Sequence, residues 1–326
     1  MRRGSGQVFG RRFEFSWGLG FDVGFVEDEL AEREVTREGY PWWLWPNLLS
    51  LDAPAVAVAW QILFAKVMRG HLPGMMPVFL AGAVWLLYVA DRLMDVRRMG
   101  AGEAVKTARH AFYRDHGRAM KVAWVVVFVV LAALVPFFLP MGLIVRAVFL
   151  LGFVWLYFEF VARAARGTVV PYAKEIFAGL IFAMGTTMAV GFYVGMGSNP
   201  DLLSGDGLVR EWILQVMDLS AFGGAFLAFA YVCAFNCALI NTWEGEVAGW
   251  KGSRWLWYFL AAAGVVVAVW SVATGSRFAV VYVCAGLGAL GLGVLCALEE
   301  RLSIEARRVW ADVVLLTPLV GVWFVE

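Results

Sequence analysis

From Val122 to Phe138 the chain reads VAWVVVFVVLAALVPFF, without one charged side chain. A helix needs about 20 mostly apolar residues to cross the hydrocarbon core of a bilayer, whereas a spanning β-strand alternates apolar and polar residues. The run has no such alternation, so a β-barrel is excluded and a transmembrane helix is expected. Eight further segments pass the same test, giving expected spans at 53–69, 75–94, 121–139, 141–162, 174–195, 219–242, 254–273, 278–298 and 309–325. Gln61 and Lys66 interrupt the first of them, and Asp312 and Pro318 the last. The composition agrees, since 61% of the residues are hydrophobic and 16% charged, too little polar surface to coat a water-soluble globule of 326 residues.

The expected fold is therefore all-α and polytopic, with about nine transmembrane helices. Residues 1–50 are read as a polar tail and an interfacial aromatic segment, and residues 51–326 as the transmembrane domain. Pro41 to Pro46 reads PWWLWP, where indole rings suit the headgroup region by burying an apolar body and keeping an N–H wet. A net charge of +1 gives no basic face for nucleic acid. Cys233, Cys237, Cys284 and Cys296 lie in apolar runs without a CxxC pair, as small buried hydrophobes do. The first forty residues lack the apolar core and cleavage site of a secretory signal.

Orientation is read from the basic residues, which are retained on the cytoplasmic side. The connection after the second span carries Arg92, Arg97, Arg98, Lys106, Arg109, Arg114, Arg118 and Lys121. Later even-numbered connections carry Arg163, Arg166 and Lys174, then Lys251 and Arg254, then Arg301, Arg307 and Arg308. These loops, with the N-terminal Arg2, Arg3, Arg11 and Arg12, are expected in the cytoplasm. The acidic connection bearing Asp201, Asp206 and Glu211 is expected on the opposite side.

An ionisable group in a spanning helix costs roughly 2.5–3.5 kcal/mol near the bilayer centre, so each one needs an account. Asp91 and Asp95 close the second span, and their spacing of four puts both carboxylates on one helix face. Such a pair repels itself unless a divalent cation or the neighbouring Arg92, Arg97 and Arg98 relieve it. Mg²⁺ takes hard oxygen donors of this kind and completes its shell with water and phosphate. At the end of the sixth span, Asn241 and Glu244 share a face, Glu246 follows, and Asn236 lies deeper, where its amide must find a partner. These residues serve either as oxygen ligands or as helix caps and interhelical glue. At the start of the fifth span, Tyr172-Ala-Lys174-Glu175 places a cation at the membrane boundary, for snorkelling or for an anionic group. His110 and His116, six apart, are poorly spaced for a shared metal and read as part of an amphipathic cap.

Acidic patches with cations between them, all at one membrane face, suit a diphosphate. The chain resembles the UbiA family of intramembrane prenyltransferases, which have nine helices, an NDxxDxxxD motif after the second and another acidic motif after the sixth. Ala90-Asp91-Arg92-Leu93-Met94-Asp95 is similar to the latter half of the first motif, Lys174 falls where the family keeps a basic residue, and Thr107-Ala108-Arg109 resembles its loop Thr/Arg. Leu87 and Tyr88 stand where the family has Asn and Asp, and Asn241, Glu244 and Glu246 replace its second motif. The likeness covers residues 50 to 326. It implies Asp91, Asp95 and Lys174 as catalytic residues, and Asp91, Asp95, Asn241, Glu244 and Glu246 as ligands of a Mg²⁺ cofactor. It implies Arg92, Arg109, Lys174 and Asn236 as the diphosphate site, with an isoprenoid diphosphate and a lipophilic acceptor as partners. The rival readings are a transporter or lipid-binding membrane protein, and a non-catalytic protein of the same fold.

Overall fold

The computed structural model describes residues 5–8, 11–14, 40–98, 107–164, 172–198, 222–244 and 254–325. The chain divides into two units, Met1–Pro41 and Trp42–Glu326. In the first, β1 (Ser5–Val8) pairs antiparallel with β2 (Arg11–Glu14), Ser5 opposite Glu14 and Val8 opposite Arg11. The second unit begins at Trp42, so most of the aromatic segment belongs with the helices.

Among the described residues, every element of the second unit is helical. A 3₁₀ turn (Trp42–Leu44) leads into α1 (Trp45–Leu48), followed by α2 (Asp52–Val67), α3 (Met75–Arg98), α4 (Ala108–Phe138) and α5 (Met141–Ala164). Then come α6 (Ala173–Ser198), α7 (Phe222–Trp243), α8 (Arg254–Ala273), α9 (Ala279–Ala297), α10 (Ile304–Val313) and the short α11 (Pro318–Gly321). Seven helices among the described residues, α3 to α9, are long and apolar enough to cross a membrane, and α2 becomes an eighth if counted with Trp42–Leu48, from which it bends by 78°. The protein is an all-α polytopic membrane protein.

The expected segments and the observed helices differ at two places for identifiable reasons. Helix α4 starts at Ala108 rather than near 121, because Thr107 caps it, its hydroxyl accepting from the backbone N–H of His110 at 3.4 Å. The segment expected to span 309–325 is broken into α10, a 3₁₀ turn (Val314–Leu316), α11 and a second 3₁₀ turn (Val322–Phe324). Pro318 has no N–H to donate into a continuing helix and sits at the first position of α11, where none is needed. The bend between α1 and α2 passes through Ser50, a non-glycine residue at φ 54°, whose hydroxyl meets the Tyr113 hydroxyl of α4 at 3.0 Å.

Lipid takes the place of water around this unit. Val122, Val125, Val126 and Val129 of α4 are exposed, as are Val266, Val269 and Trp270 of α8. The core lies between α2, α6, α7 and α9. There Trp60 stacks on Phe229 with ring centroids 4.3 Å apart and donates its indole N–H to the Leu315 carbonyl at 2.9 Å, fixing the broken C-terminal segment against α2. Two further indoles tie neighbouring elements in the same way, Trp85 to the Leu49 carbonyl and Trp124 to the Leu86 carbonyl.

Helices α6 and α7 approach closely at Gly179, where an added Cβ would lie 2.6 Å from the Ala230 carbonyl oxygen and 2.7 Å from the Ala234 nitrogen. Backbone cannot yield as a side-chain tip does, so the overpacking cost is felt in full. Gly179→Val is expected to destabilise the protein by about 1–3 kcal/mol. Gly152→Ala, on an exposed stretch of α5 with nothing within 4 Å, is expected to be neutral. Thermal unfolding of both variants in the same detergent tests the contrast.

Candidate functional site

The polar residues gather at one end of the bundle because of the order in which the helices run. Helix α3 ends with Asp91, Arg92 and Asp95, α4 starts with Arg109, α6 starts with Lys174 and Glu175, and α7 ends with Asn241 beside Glu244. Since α3 packs antiparallel to α4, and α6 to α7, two helix ends and two helix starts meet at the same level. All eight side chains line a single cavity of about 640 Å³. Its wall away from the charges is apolar and aromatic, with Phe79, Phe128, Leu143, Phe158, Phe182 and Met188 among the lining residues.

The charged end is organised around Glu244. Its carboxylate oxygen Oε1 lies 3.0 Å from Arg308 Nε and 3.4 Å from Arg109 Nη2, with all three side chains buried. Arg308 also reaches Glu305 at 3.4 Å, and Glu305 accepts the backbone N–H of Ala108 at 2.7 Å at the start of α4. Helix α10 presents Arg308 because Ser303 caps it, accepting from Ala306 N–H at 3.2 Å, and because its polar face turns inward over the cavity. Burial by itself would raise the Glu244 carboxyl, but Arg109, Arg308 and Arg92 outweigh it and hold its pKa below the ordinary 4.5. Arg109 Nε and Arg308 Nη2 are buried and have no hydrogen-bond acceptor among the described residues, so donors remain at this end of the cavity.

Asp91 and Asp95 both line the cavity, one helical turn apart. Arg92 lies between them in sequence and sits 5.9 Å from the centre of the Tyr88 ring, so the tyrosine gives that guanidinium an aromatic neighbour. Lys174 Nζ is 3.7 Å from Glu175, whose Oε1 accepts from the Asn241 amide at 2.5 Å. Among the described residues, no group of three or more His, Cys, Asp and Glu side chains is placed to hold a metal ion by itself. His110 is occupied by Thr107 at 3.0 Å, and His116 stacks on Phe112. Three of the cysteines are buried and the fourth, Cys237, is half-buried, all as free thiols.

The structure thus brings Asp91, Arg92, Asp95, Arg109, Lys174, Asn236, Asn241 and Glu244 to one cavity, while Glu246 lies outside the described residues. Asn236 is deeper than the charged end, just over two helical turns before Glu244, and its amide N–H₂ donates to Asp312 at 3.0 Å. Sequence reasoning passed over Asp52, Glu175, Arg308 and Asp312 as site residues, although all four line the cavity. For Asp312 the signal was there, an ionisable residue inside an apolar segment, which is by default a functional position. Arg308 carried no such signal, since it reads as one more basic residue of a loop.

No protein-family model, no curated protein and no solved structure matches this chain. The site stands on its geometry.

The ion pairs around Glu244 make two measurable statements. A group whose folded pKa is depressed contributes stability above its unfolded value and loses it as pH falls, so this contribution is fully present above about pH 4.5 and declines below it. Glu244→Gln is therefore expected to flatten the fall in thermal midpoint between about pH 5 and about pH 3. Arg308→Met removes the shorter of the two ion pairs to Glu244 and is expected to cost about 3 kcal/mol at neutral pH, read from the same unfolding measurement.

Proposed function

We propose that the protein is a membrane-embedded prenyltransferase, moving an isoprenoid chain from an allylic diphosphate to a lipophilic acceptor. The observation that carries this reading is the division of one cavity into a charged end and an apolar, aromatic-walled remainder. A prenyl diphosphate has the same division, an anionic head and a hydrocarbon tail. The resemblance of Ala90 to Asp95, Lys174 and Thr107 to Arg109 to the UbiA pattern supports it.

Arg109, Arg92 and Lys174 are assigned to the phosphate oxygens, with Arg308 added from the geometry, because all four cations line the charged end. Asp91 and Asp95 are assigned to Mg²⁺. Two carboxylates on one face suit that ion when it arrives with the diphosphate, because it commonly takes one or two protein carboxylates and completes its shell with phosphate and water. Glu244 fits this role less well, being held between two arginines, and is assigned to positioning Arg109 and Arg308 instead. Asn241 holds Glu175 in place beside Lys174.

Bound Mg²⁺ supplies charge neutralisation that eases departure of diphosphate. The arginines and Lys174 hold the departing oxygens in a preorganised, largely desolvated setting. The apolar wall keeps water from the allylic carbon until the acceptor reacts. On this reading the bundle counts nine crossings, including α2 and the broken C-terminal segment, and the charged end faces the cytoplasm with the basic loops.

The test is Mg²⁺-dependent binding of farnesyl thiolodiphosphate, whose sulfur link resists ionisation, to purified protein. Saturable binding that chelation abolishes, and that weakens at least tenfold in Asp91→Ala and in Asp95→Ala, is expected. Binding that is absent, or indifferent to chelation and to both substitutions, would overturn the reading and leave a transporter or a non-catalytic membrane protein.

A further inference from the structure

Beside the charged end the same cavity carries two pairs of an acid and an amide. The Asn47 N–H₂ donates to Asp52 Oδ2 at 2.6 Å, and the Asn236 N–H₂ donates to Asp312 Oδ1 at 3.0 Å. Asp52 Oδ1 also accepts the backbone N–H of Ala53 at 2.9 Å. All four residues of the two pairs line the cavity. Helix α2 and the C-terminal segment run side by side in the same direction, tied by the Trp60 indole to the Leu315 carbonyl at 2.9 Å and by the Lys66 ammonium to the Val322 carbonyl at 3.1 Å. At about 1.5 Å of rise per residue, that register sets Asp52 and Asp312 about 7 Å apart along the helix direction, a gap that two side chains and a ligand between them close.

Charge and hydrogen bonding both leave these pairs incomplete. Glu244 meets Arg109 and Arg308, and Glu175 meets Lys174, but Asp52 and Asp312 form no ion pair among the described residues, and the hydrogen bonds they accept come from neutral amides. Arg308 acts on Asp312 but is committed to Glu244 and Glu305. The amides supply the independent observation. Because each turns its N–H₂ to a carboxylate, each presents its carbonyl oxygen elsewhere. Asn47 and Asn236 are 5% and 7% exposed, and the Oδ1 atom of each is buried without a hydrogen-bond partner among the described residues. Two acids without a counter-ion and two acceptors without a donor call for one positive centre that several oxygens surround at once.

We propose that Asn47, Asp52, Asn236 and Asp312 bind a divalent metal cation, Ca²⁺ in preference to Mg²⁺. Each carboxylate oxygen has two lone pairs, so the bonds from the amides and from Ala53 leave room for a metal. Two carboxylates match the charge of a divalent ion, and no third carboxylate joins them among the described residues. Amide carbonyls and carboxylates together, in a flexible arrangement that water completes to about 6–8 oxygens, are what Ca²⁺ accepts. Mg²⁺ demands stricter octahedral geometry and is served by one or two carboxylates with a substrate phosphate, as assigned to Asp91 and Asp95. The two sites are separate, and this one does not rest on the transferase reading. Asn47 belongs to α1, Asp52 to α2, Asn236 to α7 and Asp312 to α10, so the bound ion joins four elements and fixes the helix that carries Arg308.

The experiment is calorimetric titration of the full chain, stripped with chelator and held in nanodiscs of zwitterionic lipid, with CaCl₂ and with MgCl₂ in the absence of any diphosphate. One Ca²⁺ per chain is expected, bound at least tenfold more tightly than Mg²⁺. Asn47→Ala, which removes an uncharged group and spares both aspartates, and Asp312→Asn, which keeps the side-chain size, are each expected to weaken Ca²⁺ at least tenfold. Asp91→Ala and Asp95→Ala are expected to leave it within threefold. Absence of Ca²⁺ binding to the unaltered chain overturns the site whatever the variants do. So does equal affinity for the two ions, or binding that survives Asn47→Ala and Asp312→Asn and is lost in Asp91→Ala. Ca²⁺ binding without Mg²⁺-dependent thiolodiphosphate binding keeps this site and removes the transferase reading, and the converse result removes this site alone.

Discussion

A carboxylate enclosed by arginines holds the polar end of this bundle together. Glu244 closes α7, Arg109 opens α4 and Arg308 lies on α10, and the two ion pairs join these three elements. Glu305 extends the cluster by receiving the first N–H of α4. Removing one partner from such a cluster leaves a buried charge without compensation, which costs more than the intact pair contributes. The same cavity that Glu244, Arg109 and Arg308 line is also lined by Asp91 and Lys174.

Beneath it the architecture follows from the solvent. A bilayer gives helices no hydrophobic reason to associate, so contact comes from small residues, interhelical hydrogen bonds and shape. Gly179 lets α6 and α7 close on each other, and the indoles of Trp60, Trp85 and Trp124 each satisfy a carbonyl on a neighbouring element. The cavity between these contacts remains apolar for most of its wall and polar at a few chosen positions, the pattern expected of a small-molecule site.

The helical, membrane-spanning character of the chain was legible in the sequence because hydropathy over about 20 residues is a strong signal. The grouping of Asp91, Asp95, Lys174, Asn241 and Glu244 was legible too, since alternating helix direction alone brings those ends to one level. The C-terminal segment was not. Its residues are apolar enough to read as a span, and only the placement of Pro318 and the indole bond from Trp60 to Leu315 show why it breaks. Arg308 and Asp52 were invisible as site residues because their partners lie far away in sequence. Asp312 meets Asn236 across a separation of 76 residues, and no periodicity encodes such a pairing.

The Glu244 junction also imposes an order in time. Arg109 and Glu244 are 135 residues apart, and Arg308 is made later still. At a synthesis rate of about 5–20 residues per second, the arginine waits roughly 7–27 s for its carboxylate. During that interval α4 is already available for insertion while its first turn holds a charge with no counter-ion. Placing the junction at the helix ends lets the arginine wait in water rather than in hydrocarbon, and the junction is complete only once Arg308 of α10 has been made.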